Sequence, residues 1–464
     1  MASPRFHTLA VALAAALTFV PSLYTELLAD DRYLIPERLP MGLASFWTED
    51  YWAGYTVSGL YRPLGLTWLW LQGQAIGSSP AGYHAVSLTL HATAASLLHL
   101  VLQPLAGPPA ALAAALLFAV HPIHAEAVIP IYGQLDLLAS LLILAAILAA
   151  QHQRHLPAVL ALAAAMLVKE SAFLGVGLLW LVVRPPWRTL APCAAVTLAA
   201  AAARFAVLGS LALPADATVI GPNAPVSLWM KAILISTAHA LRLCVFPTGQ
   251  TVYYGHLRDS LAGFPSAELS WLATGALIAA ALWLTQPRRH LAVALGWFSL
   301  CLLPVANIVP IGVLVAERSL YLAVAGLTLL AARARPVVIA LLVVIALAAS
   351  WHVTYQWRTE RSLWEYTVAA HPRSPKAHAM VGWAILEEAG YAKAGTRADL
   401  LAQAETAFHR ALALNPRSTD ALTGRALLRW SAKGCDAARA HLDEARRANP
   451  TDRRLSYALA DCKM

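Results

Sequence analysis

Phe118-Ala-Val-His-Pro-Ile-His-Ala-Glu-Ala-Val128, running on through Tyr132-Gly-Gln-Leu-Asp-Leu-Leu138, lies between two long apolar runs. His121, His124, Glu126 and Asp136 gather there in a region otherwise nearly free of charge. Ionisable groups at membrane depth are costly and mark function by default, although any polar turn between two spans needs some polar residues. The stretch is expected at a membrane surface, with its charges in the headgroup zone.

Composition agrees with a membrane reading. Of 464 residues, 59% are hydrophobic and only 13% charged, which no soluble domain of this size matches. Outward from the central stretch, apolar runs at 7–28, 82–104, 108–120, 133–150, 157–168, 171–183, 189–208, 267–286, 291–306, 319–333 and 336–355 predict an all-α, polytopic domain over 1–355 with about eleven spans, ten to twelve. The first run reads as an uncleaved span rather than a signal peptide, because no small-residue cleavage site precedes Glu26 and Asp30. Residues 62–71 are apolar but short and predict a helix in the surface plane. The segment 227–246 carries Lys231, His239 and Arg242 and is taken as interfacial or re-entrant.

The net charge of +9 shows no Lys/Arg cluster with interleaved aromatics, so nucleic acid is not an expected partner. Instead, the short loops at Arg154-His155, Arg184–Arg188, Arg288-Arg289-His290 and Arg333–Arg335 are basic and free of acids. Such loops belong on the cytoplasmic side. The acidic clusters and the C-terminus then share the opposite, periplasmic or lumenal face. After residue 355 the composition turns polar and helical. Ala370-His-Pro, Leu414-Asn-Pro and Ala448-Asn-Pro recur, and Pro416 to Pro450 spans 34 residues, the tetratricopeptide period. Residues 356–464 therefore predict a short repeat array. Cys435 and Cys462 suit a disulfide if that array meets an oxidising compartment.

Paired acids, basic residues and a lipid-facing cleft suit group transfer from a lipid-linked phosphosugar. An acceptor hydroxyl needs a carboxylate base. A leaving phosphate needs a cation, either Arg/Lys or a metal.

Asp30-Asp-Arg-Tyr-Leu-Ile35, Tyr61-Arg-Pro-Leu64, the central stretch, Gly133-Gln-Leu-Asp-Leu-Leu138, Lys169-Glu-Ser171 and Ala316-Glu-Arg-Ser-Leu-Tyr-Leu322 together resemble the transmembrane and tetratricopeptide-repeat-containing O-mannosyltransferases of the glycosyltransferase C superfamily. That resemblance implies a polyprenyl-phosphate-mannose donor, a Ser/Thr acceptor on an exported protein, and catalysis on the lumenal or periplasmic side. By motif, Asp30 and Asp31 match the acidic pair of the first external loop, with Asp31 preferred as the catalytic carboxylate. Glu126 and His121 match the second acidic motif, which orients the acceptor or holds a divalent metal. Asp136 and Glu170 are placed with the acceptor. Arg318 is the candidate for the donor phosphate, with Arg62 and Lys169 as helpers. His84 and His91 read as packing residues. The chain departs from the family at Gln134, where an arginine is usual. Two other classes fit the same residues: a non-catalytic scaffold whose repeats recruit a partner, and a carrier that flips a lipid-linked sugar.

Overall fold

The computed structural model describes residues 4–462 apart from 216–217, 222, 256, 258–260, 262–265, 286 and 451. The end of the run expected at 267–286 thus lies outside the described residues. The chain divides into Met1–Arg358 and Thr359–Met464, and no strand occurs among the described residues.

In the first unit, α1 (Pro4–Phe19), α2 (Pro63–Ile76), α3 (Pro80–Ala106) and α4 (Pro108–Ala119) precede the central stretch. α2, α3 and α4 all start on proline, whose fixed φ and missing N–H suit the first helical turn. Gly107, at φ +81°, makes the sharp join between α3 and α4. After the central stretch come α5 (Gln134–Gln151), α6 (His155–Val168), α7 (Gly175–Val183), α8 (Trp187–Leu208), α9 (Val226–Val245), α10 (Ser266–Thr285), α11 (Arg288–Leu302), α12 (Val324–Ala331) and α13 (Pro336–Gln356). α1 packs on α3, α4 and α13, while α5 packs on α3 and α6.

Among the described residues, six helices are long and apolar enough to cross a membrane, or seven if a bent pair counts as one. Eleven were expected. The difference arises because an apolar run need not be one helix. At Lys169 the backbone is extended (φ −157°, ψ 142°) and separates two helices too short to pass that test. The runs at 291–306 and 319–333 likewise resolve into helices of 15 and 8 residues. The segment taken as interfacial or re-entrant is a single 20-residue helix, α9, and is among the six. The orientation argued from loop charge loses its alternation at that point.

The bent pair is the central stretch itself. Pro122 cannot donate a helical hydrogen bond, and the chain turns by 50° between Pro108–Ala119 and Pro122–Val128. Residues 122–137 are buried without a break. Here the protein supplies the partners of the charges from within.

The second unit comprises α14 (Glu360–Ala370), α15 (Pro375–Tyr391), α16 (Ala394–Leu414), α17 (Thr419–Ala448, kinked at Gly434) and α18 (Arg453–Asp461). Each helix packs on the next. The Phe408 ring fills the junction of α15, α16 and α17, in a cluster with Ala379, Ile385 and Leu428. Phe408→Ala is expected to destabilise this unit by about 3–5 kcal/mol, read as a lower denaturant midpoint of its helical signal. Cys435 and Cys462 are disulfide-bonded, Cα–Cα 5.2 Å, tying α17 to the chain end after α18.

Candidate active site

The acidic pair follows a strained residue. Ala29 has φ +47°, in the left-handed region that a residue with a Cβ seldom occupies. Asp31 is fully buried. Its Oδ1 accepts the Tyr132 N–H (2.7 Å), and its Oδ2 accepts those of Ile131 (2.8 Å) and Leu28 (3.3 Å). Burial pushes the Asp31 carboxyl up to about 8, while these three donors work against the rise. A carboxylate so engaged is a staple between the first loop and the central stretch. Asp30 is the exposed member of the pair.

Glu126 is wholly buried and held from both sides by Arg318. Its Oε2 accepts the Arg318 backbone N–H at 3.0 Å, and its Oε1 pairs with the guanidinium. That guanidinium also lies over the Tyr132 ring, 5.0 Å from the centroid. The turn bringing Tyr132 back beneath it requires Gly133, where a Cβ would meet the carbonyl oxygens of Ala127 (2.5 Å) and Glu126 (2.6 Å). Arg318 keeps about a quarter of its side chain exposed and lines two cavities. One is walled by Tyr253, Tyr254 and residues 312–316. The other runs from Asp136 and Ser171 to Leu174, Leu178 and Cys301.

Two further ion pairs stand around this centre. Lys169 Nζ lies 2.5 Å from Asp136 Oδ1, both nearly buried. Burial lowers the Lys169 ammonium to about 8 despite that partner. Glu170 pairs with Arg62 (2.8 Å) and Arg204 (3.1 Å) and accepts the Tyr61 N–H. Arg62 in turn lies over the Tyr51 ring. Burial raises the Tyr51 hydroxyl above its ordinary range, and the charge of Arg62 works against that rise. Glu170 thus ties the first loop to α8.

The sequence reads Tyr51 only as an interfacial aromatic and places neither Arg204 nor Glu317 in the site. Arg204 carried a signal, a charge deep within an apolar helix. Glu317 is fully buried and gathers the Thr251 N–H, the Gln250 amide and the Tyr254 hydroxyl, so it holds the wall of the first cavity in place. Burial, then the charge of Glu126, pushes Glu317 up to about 8 from an ordinary 4.5. The folded state therefore holds this proton more tightly than the unfolded chain. Its stabilising contribution is complete below about pH 4.5 and is lost as pH rises to about 8. Melting temperature against pH should fall across that window in the wild type and fall less steeply in Glu317→Gln, where the slope left is that of Asp31.

The remaining predicted residues resolve simply. His84 bonds the Thr25 carbonyl, and His91 contacts Tyr321 Oη (2.8 Å) and the Ala119 carbonyl (3.0 Å), both as packing residues. His121 spends Nδ1 on the Ile123 N–H and Nε2 on the Cys244 carbonyl. With Glu126 committed to Arg318, the His121/Glu126 pair does not fit a divalent metal. Gln134, in place of an arginine, accepts from Trp68 and Gln72 and donates to the Tyr83 carbonyl. This neutral network joins α2, α3 and α5.

No family model matches the chain. The crystal structure of ArnT from Cupriavidus metallidurans bound to undecaprenyl phosphate aligns with a TM-score of 0.44 at 17% identity, over 94% of this chain and 80% of that one. Protein O-mannosyl-transferase Tmtc1 of Drosophila melanogaster is 38% identical over 145 residues, 28% of this chain and 16% of the relative. For human TMTC1 the figures are 37% over 147 residues, 29% and 17%; for human TMTC4 they are 31% over 167 residues, 30% and 22%. The matches span less than a quarter of these curated relatives, and over them the chain is similar to protein O-mannosyl-transferases, as its motifs read.

Proposed function

We propose that the chain is a membrane glycosyltransferase that moves a sugar, mannose by resemblance, from a polyprenyl-phosphate donor to a Ser/Thr hydroxyl of an exported protein. One observation carries this reading: a partly exposed guanidinium, Arg318, stands between two cavities within the electrostatic reach of Asp30. The second cavity, polar at one end and apolar at the other, suits a phosphosugar on a lipid. The first suits the acceptor.

In this reading Asp30 takes the acceptor's proton as its oxygen attacks the anomeric carbon. The bond from that carbon to the phosphate oxygen breaks, and the lipid phosphate leaves with the electron pair beside Arg318. A single displacement inverts the anomeric centre. Glu126 and Tyr132 fix the guanidinium, and Lys169 and Arg62 add positive potential. The repeat-like array at 359–464 would recruit the acceptor protein, and the site would face the periplasm or lumen.

The test is purified full-length protein with a polyprenyl-phosphate hexose and a Ser/Thr-rich peptide. Peptide-dependent release of lipid phosphate, with matching glycopeptide, is expected. Release of neither from any hexose donor ends the proposal.

A further inference from the structure

Asp136 is used on one side only. Its Oδ1 is taken by Lys169 at 2.5 Å, whereas its buried Oδ2 has no hydrogen-bond partner among the described residues. A buried carboxylate oxygen left without a donor is unfavourable and marks a place where a ligand completes the bonding. Asp136 lines the second cavity, as do Ser140, Ser171 and Ser319, and Arg318 closes the same polar end. The apolar remainder is lined by Ile143, Leu174 and Leu178.

We infer that Asp136 is a specificity-determining residue: its Oδ2 accepts a hydrogen bond from a hydroxyl of the donor sugar while the phosphate rests on Arg318, selecting a neutral sugar over a cationic one. This rests on the glycosyltransferase reading and assigns Asp136 to the donor rather than the acceptor. An isolated carboxylate would favour an ammonium as its donor. Asp136 is not isolated, because Lys169 already neutralises it and a second ammonium at Oδ2 would meet like charge at short range. A hydroxyl donates equally well and brings no charge. Ser140 and Ser171 provide further neutral partners for a polyhydroxy ring.

Equilibrium binding to the full chain in detergent tests this without turnover. Three probes are compared: polyprenyl phosphate, a polyprenyl-phosphate hexose, and its analogue with one amino group in place of a hydroxyl. The hexose should bind roughly tenfold or more tightly than the amino analogue. Asp136→Asn should weaken the hexose by roughly ten- to a hundredfold relative to bare polyprenyl phosphate, whose binding should not fall. Since that variant strands Lys169, Ser140→Val, which fills the polar end without touching the ion pair, serves as a second probe and should weaken only the sugar-bearing lipids. Equal affinity for all three probes, or a preference for the amino sugar, overturns the inference while sparing the enzyme reading. No binding of any polyprenyl phosphate overturns both.

Discussion

Arg318→Ala is expected to lower kcat by about 10²–10³, the loss that follows removal of one group stabilising charge in a transition state. The same change should destabilise the first unit by about 3–5 kcal/mol, since Glu126 is wholly buried and would lose the guanidinium it pairs with. The two losses have different origins and are separable. Pairing Arg318→Ala with Glu126→Gln removes the stranded charge, so stability should return while transfer stays absent. Measuring turnover per folded molecule, with the folded fraction taken from thermal unfolding, distinguishes them. If the double variant recovers transfer along with stability, Arg318 is a structural residue and the leaving phosphate is stabilised elsewhere. Arg318→Lys tests the fork geometry, because a point charge cannot both serve Glu126 and lie flat over Tyr132.

The sequence made one part of this centre legible and hid another. Acids and arginines at the ends of apolar runs announce themselves because burial of a charge needs a reason. Pro122 likewise announces a break after an apolar helix. Partners do not announce themselves. Glu126 meets Arg318 across 192 residues and Arg62 meets Glu170 across 108, separations that no local pattern encodes. Nor does a motif reveal that the backbone N–H groups of Ile131 and Tyr132 engage Asp31, the member of the pair that the motif favoured. Helix lengths stay hidden for a related reason. Hydropathy measures how apolar a run is, while helix length depends on where the backbone turns, as at Lys169.

Asp30→Asn is expected to abolish transfer, by about 10²–10⁴ in kcat, with donor affinity and folding nearly unchanged. Asparagine has the same shape and cannot accept the acceptor's proton. Asp31→Asn should behave in the opposite way. Its amide nitrogen would oppose at least one of three backbone N–H donors, so the variant should lose about 1–3 kcal/mol of stability. The molecules that do fold should turn over within a few fold of the wild type, because the base beside them is intact. Comparing the two asparagine variants at matched folded fraction therefore reads the division of labour within the pair. Full activity in Asp30→Asn with loss in Asp31→Asn would return the base to Asp31, and that carboxylate would then have to leave the donors at Ile131 and Tyr132 in order to react. The strain at Ala29 offers an independent reading of the same loop. Ala29→Gly should relax the left-handed backbone and stabilise the resting loop by about 1 kcal/mol. A fall in kcat on that change, with donor affinity intact, would mean that the strained turn is what holds Asp30 against the acceptor.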